Sequence, residues 1–153
     1  MTHIHKDIDF VVSVYITHNN KVLLIKHREL NCWLPVGGHI ELNENPEEAL
    51  LREVREECSL EIELMSSKPK LNLKDFKFLY APAFIDIHKI NDTHQHIGLE
   101  YFAKAKSNKI ILNKVEHDDI RWFSKNELEE KKYNLKDNVI FYCKKALKLS
   151  TDD

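Results

Sequence analysis

Three glutamates, Glu53, Glu56 and Glu57, fall within five consecutive residues of a stretch that starts at Gly37-Gly38 and ends at Leu60. Asn45 reads as a helix N-cap, Pro46 as the first helical residue and Glu48 as the returning acid of a capping box. With ~100° per residue and Glu53 at zero, Glu57 falls about 40° to one side and Glu56 about 60° to the other, so the three carboxylates share a helix face. Leu50, Leu51, Val54 and Cys58 make the neighbouring apolar arc. Like charges so placed repel one another. A hard divalent cation reverses that sign, and an oxygen-only ligand set suits Mg²⁺, with Mn²⁺ as the substitute. The bland alternative is a solvated face, the usual fate of a Glu/Arg-rich helix.

The surrounding spacing decides between them. Gly38, Glu44, Arg52, Glu53, Val54, Glu56, Glu57 and Leu60 fit the pattern Gly-x5-Glu-x7-Arg-Glu-U-x-Glu-Glu-x-Gly-U, with U a bulky aliphatic residue, and the stretch resembles the Nudix box. Ser59 departs, standing where the family has glycine at a helix end expected to be left-handed; a non-glycine residue there costs on the order of 1 kcal/mol.

The resemblance implies hydrolysis of a nucleoside diphosphate linked to another group. It assigns Glu53, Glu56 and Glu57 to the metal, with a backbone carbonyl of the Gly37-Gly38 turn completing the set. Arg52 then orients Glu53, and Glu44 anchors the loop. Many family members carry a further acid a few residues before a tryptophan-containing strand. Glu116, ahead of Trp122, takes that place as metal ligand or general base, with Glu100 in reserve. The family's markers for ADP-ribose, diadenosine polyphosphate and coenzyme A substrates are absent; Asp75, Phe76 and Lys77 stand beyond the box instead. By elimination a nucleoside triphosphate or small nucleotide is favoured. The rival reading is a nucleotide-binding or regulatory module that kept the fold and lost turnover, and Ser59 is its one support.

Other residues carry less. Arg28 and Lys26 could meet phosphates, and Trp33, Phe76, Tyr80 and Tyr101 could stack a base; surface charge and core packing are the competing readings. Arg28 and Trp33 are the substrate-binding candidates. His94 and His96 share one face of a strand, but no Cys or carboxylate at matching spacing argues for a transition metal there. His3 and His5 read as a flexible terminus.

These side chains must be positioned by one domain spanning residues 1–153. Residues 8–17 and 22–27 form a hairpin around His18-Asn19-Asn20-Lys21, and 33–36 lead extended into the glycine turn. Further strands are expected at 61–64, 76–88, 96–105 and 120–123. A helix capped by Ser124, with Glu127 completing the box, should reach Lys131, and an amphipathic helix should occupy 136–149. That order implies an α/β class protein, a Nudix-like α/β/α sandwich with a mixed central sheet.

Lys and Arg total 23 against 25 Asp and Glu, a formal charge of −2 that offers no basic stripe for nucleic acid or anionic membrane. The three cysteines show no paired spacing. With no signal peptide and no long apolar run, the expectation is a soluble cytoplasmic protein in a reducing compartment. A nucleotide or nucleotide derivative is the expected partner, and a homodimer stays open.

Overall fold

A computed structural model describes residues 4–152, so His3 lies outside the described residues. It shows eight strands joined in one mixed sheet network among those residues, with a helix on either face. The strands are β1 (Ile8–His18), β2 (Lys21–His27), β3 (Cys32–Leu34), β4 (Val36–His39), β5 (Ile62–Leu64), β6 (Phe84–Lys89), β7 (Gln95–Ala105) and β8 (His117–Ser124). The helices are α1 (Pro46–Glu57) and α2 (Asp137–Thr151).

β1 is the central strand. It runs parallel to β7 from Ile8↔Gln95 to Thr17↔Lys104, and antiparallel to β4 from Val11↔His39 to Val14↔Val36. Its density of Val, Ile and Tyr suits a strand buried on both faces. The β1–β2 hairpin closes on Asn19 and Asn20, both left-handed at φ 47° and 59°, as a tight hairpin turn requires. It is registered only at Thr17↔Val22 and His18↔Lys21. Beyond that the strands splay, and β2 pairs with β8 and β3.

Side-chain alternation along these strands builds two cores. Val12, Val14, Ile16, Leu23, Ile25, Tyr101 and Ala103 pack with Ala49, Leu50, Val54 and Cys58 of α1. Tyr15, Val22, Leu24, Phe102 and Phe123 face the other way, onto Val139, Tyr142, Cys143, Ala146 and Leu147 of α2. All three cysteines are free thiols. No helix among the described residues is long and apolar enough to cross a membrane.

Three local expectations are corrected. Gly37-Gly38 is not a turn but part of strand β4, and neither glycine has positive φ. Glycine is needed there for close approach, because a Cβ on Gly37 would lie 2.1 Å from the Val12 carbonyl oxygen and one on Gly38 2.1 Å from Glu53 Oε1. The strand expected over 76–88 begins only at Phe84. Pro82 has no N–H to offer a ladder, and the Tyr80 N–H donates to Glu47 Oε1 of α1 at 2.6 Å, which draws this segment onto the helix instead. The Ser124–Glu127 capping box does form, Ser124 N–H to Glu127 Oε2 at 2.8 Å and Glu127 N–H to Ser124 Oγ at 3.4 Å. It starts two short 3₁₀ turns, Glu127–Glu129 and Lys131–Tyr133, rather than an α-helix. With Leu128 as their one buried residue, they have no apolar stripe to hold a longer helix on the core.

Candidate active site

The acidic helix is fixed at both ends by its own sequence. Asn45 Oδ1 accepts from the N–H groups of Glu47 and Glu48 at 3.0 and 3.1 Å, and Glu48 Oε2 accepts from Asn45 N–H at 2.8 Å. At the other end Ser59 has φ 55°, the left-handed conformation expected of a glycine. Its N–H donates to Val54 O at 2.8 Å, and its hydroxyl donates to Arg55 O at 2.9 Å, closing the turn with a bond glycine could not make.

So anchored, α1 presents its acids to β4. Glu53 is buried, its carboxylate lying over Gly38. Glu57 is also buried and accepts from Gly37 N–H at 3.0 Å through Oε2. Glu56 is half-exposed, at 54% of its side-chain surface. Glu116, in the turn before β8, comes within 4.8 Å of Glu57 and His117 at their ligand atoms. Glu53, Glu56 and Glu116 share the wall of one cleft of about 520 Å³ with His39, Glu41, Leu42, Asn43, Arg52 and Ile4.

Arg52 ties this wall together. It forks onto Glu44 through Nε and Nη2 at 3.0 and 2.6 Å, donates to the His39 carbonyl at 3.0 Å, and reaches Glu53 Oε1 at 2.7 Å and Glu56 Oε2 at 3.4 Å. The hydrogen bond from Arg52 holds the Glu44 carboxyl below its usual range. Glu53 moves the other way. Burial, opposed by the Arg52 hydrogen bond and helped by the charges of Glu57 and Glu56, pushes it up to about 7. One guanidinium thus leaves the cluster short of positive charge.

The structure brings Arg52, Glu53, Glu56, Glu57, Gly37, Gly38 and Glu116 to one place. Arg28 and Trp33 are not among the residues lining the cleft. Arg28 donates to Asp118 Oδ1 at 2.8 Å and to the carbonyls of Val115 and Lys114 at 3.0 and 2.7 Å, so it staples the loop that carries Glu116. Trp33 is 7% exposed and packs edge-on against Phe123 and Tyr133, with ring centres 5.0 and 6.4 Å away. Glu100 lies apart from the cleft lining, buried beside Ser13 and Asp86 on the α2 face of the sheet. His117 escaped the sequence reading. Its buried Nε2 donates to Glu57 Oε1 at 2.8 Å. The available signal was its place next to Glu116.

Fold and site together describe an α/β sandwich with an acid-lined cleft short of cations. A model of the NUDIX domain matches residues 8–143. A NUDIX-family hydrolase from Clostridium perfringens, known by crystal structure, is 34% identical with a TM-score of 0.81 over 93% of this chain and 97% of that one. A protein of Lactococcus lactis subsp. cremoris named as a probable DHNTP pyrophosphohydrolase is 27% identical over 109 residues, 71% of this chain and 61% of that protein. The m7GpppN-mRNA hydrolase NUDT17 of Xenopus laevis is 37% identical over 67 residues, 40% of this chain and 23% of that protein. The chain spans less than two thirds of either curated relative. It belongs to the Nudix family.

Proposed function

We propose that the protein hydrolyses a pyrophosphate bond in a nucleoside diphosphate linked to another group, with Mg²⁺ as the working ion and Mn²⁺ as substitute. The observation that carries this reading is the buried pair Glu53 and Glu57, held against the glycine strand and flanked in one cleft by Glu56 and Glu116, with Arg52 the cation among them. The donor set is all hard oxygen, and a carboxyl raised to about 7 by burial and neighbouring acids is one that a divalent ion would stabilise in its charged form. Glu53, Glu56 and Glu57, with a backbone carbonyl of the Gly37-Gly38 segment, would hold the ion. When bound, it supplies charge neutralisation of phosphate oxygens and a more acidic water.

The chain's own residues do the rest. Arg52 fixes the orientation of Glu53 and the loop through Glu44. Gly37 N–H and His117 orient Glu57. Glu116, at the cleft wall, is the group placed to take a proton from the attacking water.

A nucleoside triphosphate or a small nucleotide derivative is the favoured substrate, and the name of the Lactococcus relative points to a triphosphate as well. The binding-module alternative rested on Ser59, and the left-handed turn that Ser59 closes supports an intact helix end instead. The test incubates EDTA-stripped protein, with and without Mg²⁺, with nucleoside triphosphates, DHNTP, nucleotide sugars, ADP-ribose and capped dinucleotides. Metal-dependent turnover of at least one is expected, reduced by ~10² or more in Glu53→Gln and Glu57→Gln. Tight binding of one compound with turnover of none would favour the module.

A further inference from the structure

On the face of β4 opposite the acids, a second group of potential ligands converges. Gly38 faces Glu53, so strand alternation turns His39 to the other side. There it meets residues from neighbouring strands: Asp9 of β1 and His96 of β7 are paired in register, and His94 closes the turn between β6 and β7 by accepting the N–H groups of Ile90 and Asn91. The sequence kept Asp9 and His94 85 positions apart, which is why no carboxylate at ligand spacing was visible there.

Three of these groups are close enough to share one ion, and His39 stands beside their carboxylate. The ligand atoms of Asp9, His94 and His96 all lie within 4.8 Å of one another. His39 Nε2 and His94 Nε2 stand 3.5 and 3.6 Å from Asp9 Oδ2. Both separations exceed the ~2.7–3.2 Å of a good N–H···O bond. They match the edge of about 3.4 Å between neighbouring ligands in a tetrahedron whose centre lies ~2.0–2.1 Å from each, as around Zn²⁺. The ring of His96 is 4.9 Å from that of His39 and 5.0 Å from that of His94.

Supporting contacts point the same way. His94 Nδ1 lies 2.9 Å from the Lys6 carbonyl, which can only accept, so Nδ1 carries a proton and Nε2 is the ring nitrogen turned toward Asp9. The carboxylate itself is held by the N–H groups of Ile4 and His5, at 3.1 and 2.9 Å. Such outer hydrogen bonds are the ones that orient metal ligands. Asp9, His39 and His94 are at least nine-tenths buried.

We propose that Asp9, His39, His94 and His96 form a structural transition-metal site of the Zn²⁺ class, distinct in its ligands from the acid cluster of the Mg²⁺ cleft, whose wall His39 also lines. Four protein ligands leave no open position for substrate, and imidazole selects Zn²⁺ or Co²⁺ over Mg²⁺. The ion would clasp the ends of β1, β4 and β7 together beneath the 4–7 segment.

The test uses the full chain, reduced, stripped with EDTA and held in millimolar Mg²⁺ to saturate hard-oxygen sites, then titrated with Co²⁺. One equivalent should bind with the visible absorption of tetrahedral Co²⁺, be displaced by Zn²⁺, and raise the thermal midpoint. Asp9→Asn and His94→Gln/His96→Gln should weaken Co²⁺ binding by at least ~10-fold while Glu53→Gln/Glu57→Gln keeps it. His39→Gln serves if either variant fails to fold. No tetrahedral band in the parent protein, or a band unchanged in the Asp9 and histidine variants, would overturn the proposal. The outcome is independent of whether any pyrophosphate substrate is turned over.

Discussion

His117 Nε2 stands 2.8 Å from Glu57 Oε1, and both side chains are buried where the start of β8 meets the end of α1. An ionised carboxylate oxygen only accepts, so the proton is on Nε2 and the imidazole fixes one oxygen while Gly37 N–H fixes the other. The glutamate is thereby aimed before any ion arrives. Replacing His117 by Gln should raise the Mg²⁺ concentration for half-maximal activity by roughly 10- to 100-fold, the usual effect of losing an outer partner of a ligand. Magnesium titration of activity checks this, and an unchanged midpoint would remove His117 from the site.

Arg52 bridges two ends of the loop around α1, forked on Glu44 and donating to the His39 carbonyl. Arg52→Lys keeps the charge but cannot span both partners and Glu53 at once. A stability loss of about 1.5–3 kcal/mol is expected, the range for hydrogen bonds to charged groups. Turnover should fall more than KM changes, because Glu53 loses its orientation rather than the substrate losing a contact. Denaturant unfolding together with steady-state kinetics separates the two effects.

Much of this arrangement was legible in the sequence, for a physical reason. The caps at Asn45 and Glu48, the acid face of α1 and the strained residue at 59 depend on neighbours within one or two turns of chain. The histidine partners of Glu57 and Asp9 depend on strand pairing across long separations, which local spacing does not encode. Gly37 and Gly38 illustrate the boundary. Their importance could be read locally, but their purpose, admitting the Val12 carbonyl and the Glu53 carboxylate, appears only once β1 and α1 pack on them.

Glu100 carries a pH dependence of stability that does not involve the cleft. Burial, helped by the charge of Asp86 and opposed by a hydrogen bond from Ser13, raises it to about 8. Asp86 is itself engaged by the Tyr142 hydroxyl and by His88 Nδ1 at 2.7 Å. The native state therefore binds a proton that the unfolded chain has released between its ordinary value of 4.5 and about 8. Stability from this group is full below that window and declines as pH rises through it. Glu100→Gln, which keeps the neutral form's shape, should flatten the fall in thermal midpoint across that range. An equally steep fall in the variant would assign the dependence to other groups.

Trp33 gives the sharpest contrast between the two readings of an aromatic residue, base stacking and core packing. Its ring is buried in the α2-side core, edge-on to Phe123 and Tyr133, so its removal opens a cavity rather than a binding surface. Trp33→Phe retains an aromatic ring but leaves part of the indole volume unfilled, and should lower stability by about 1–3 kcal/mol, on the scale of partial core truncations. KM for the substrate that the panel identifies should change less than twofold. A raised KM with unaltered stability would instead show that the indole reaches the base, and the comparison of denaturant midpoint with KM in the same variant decides between the two.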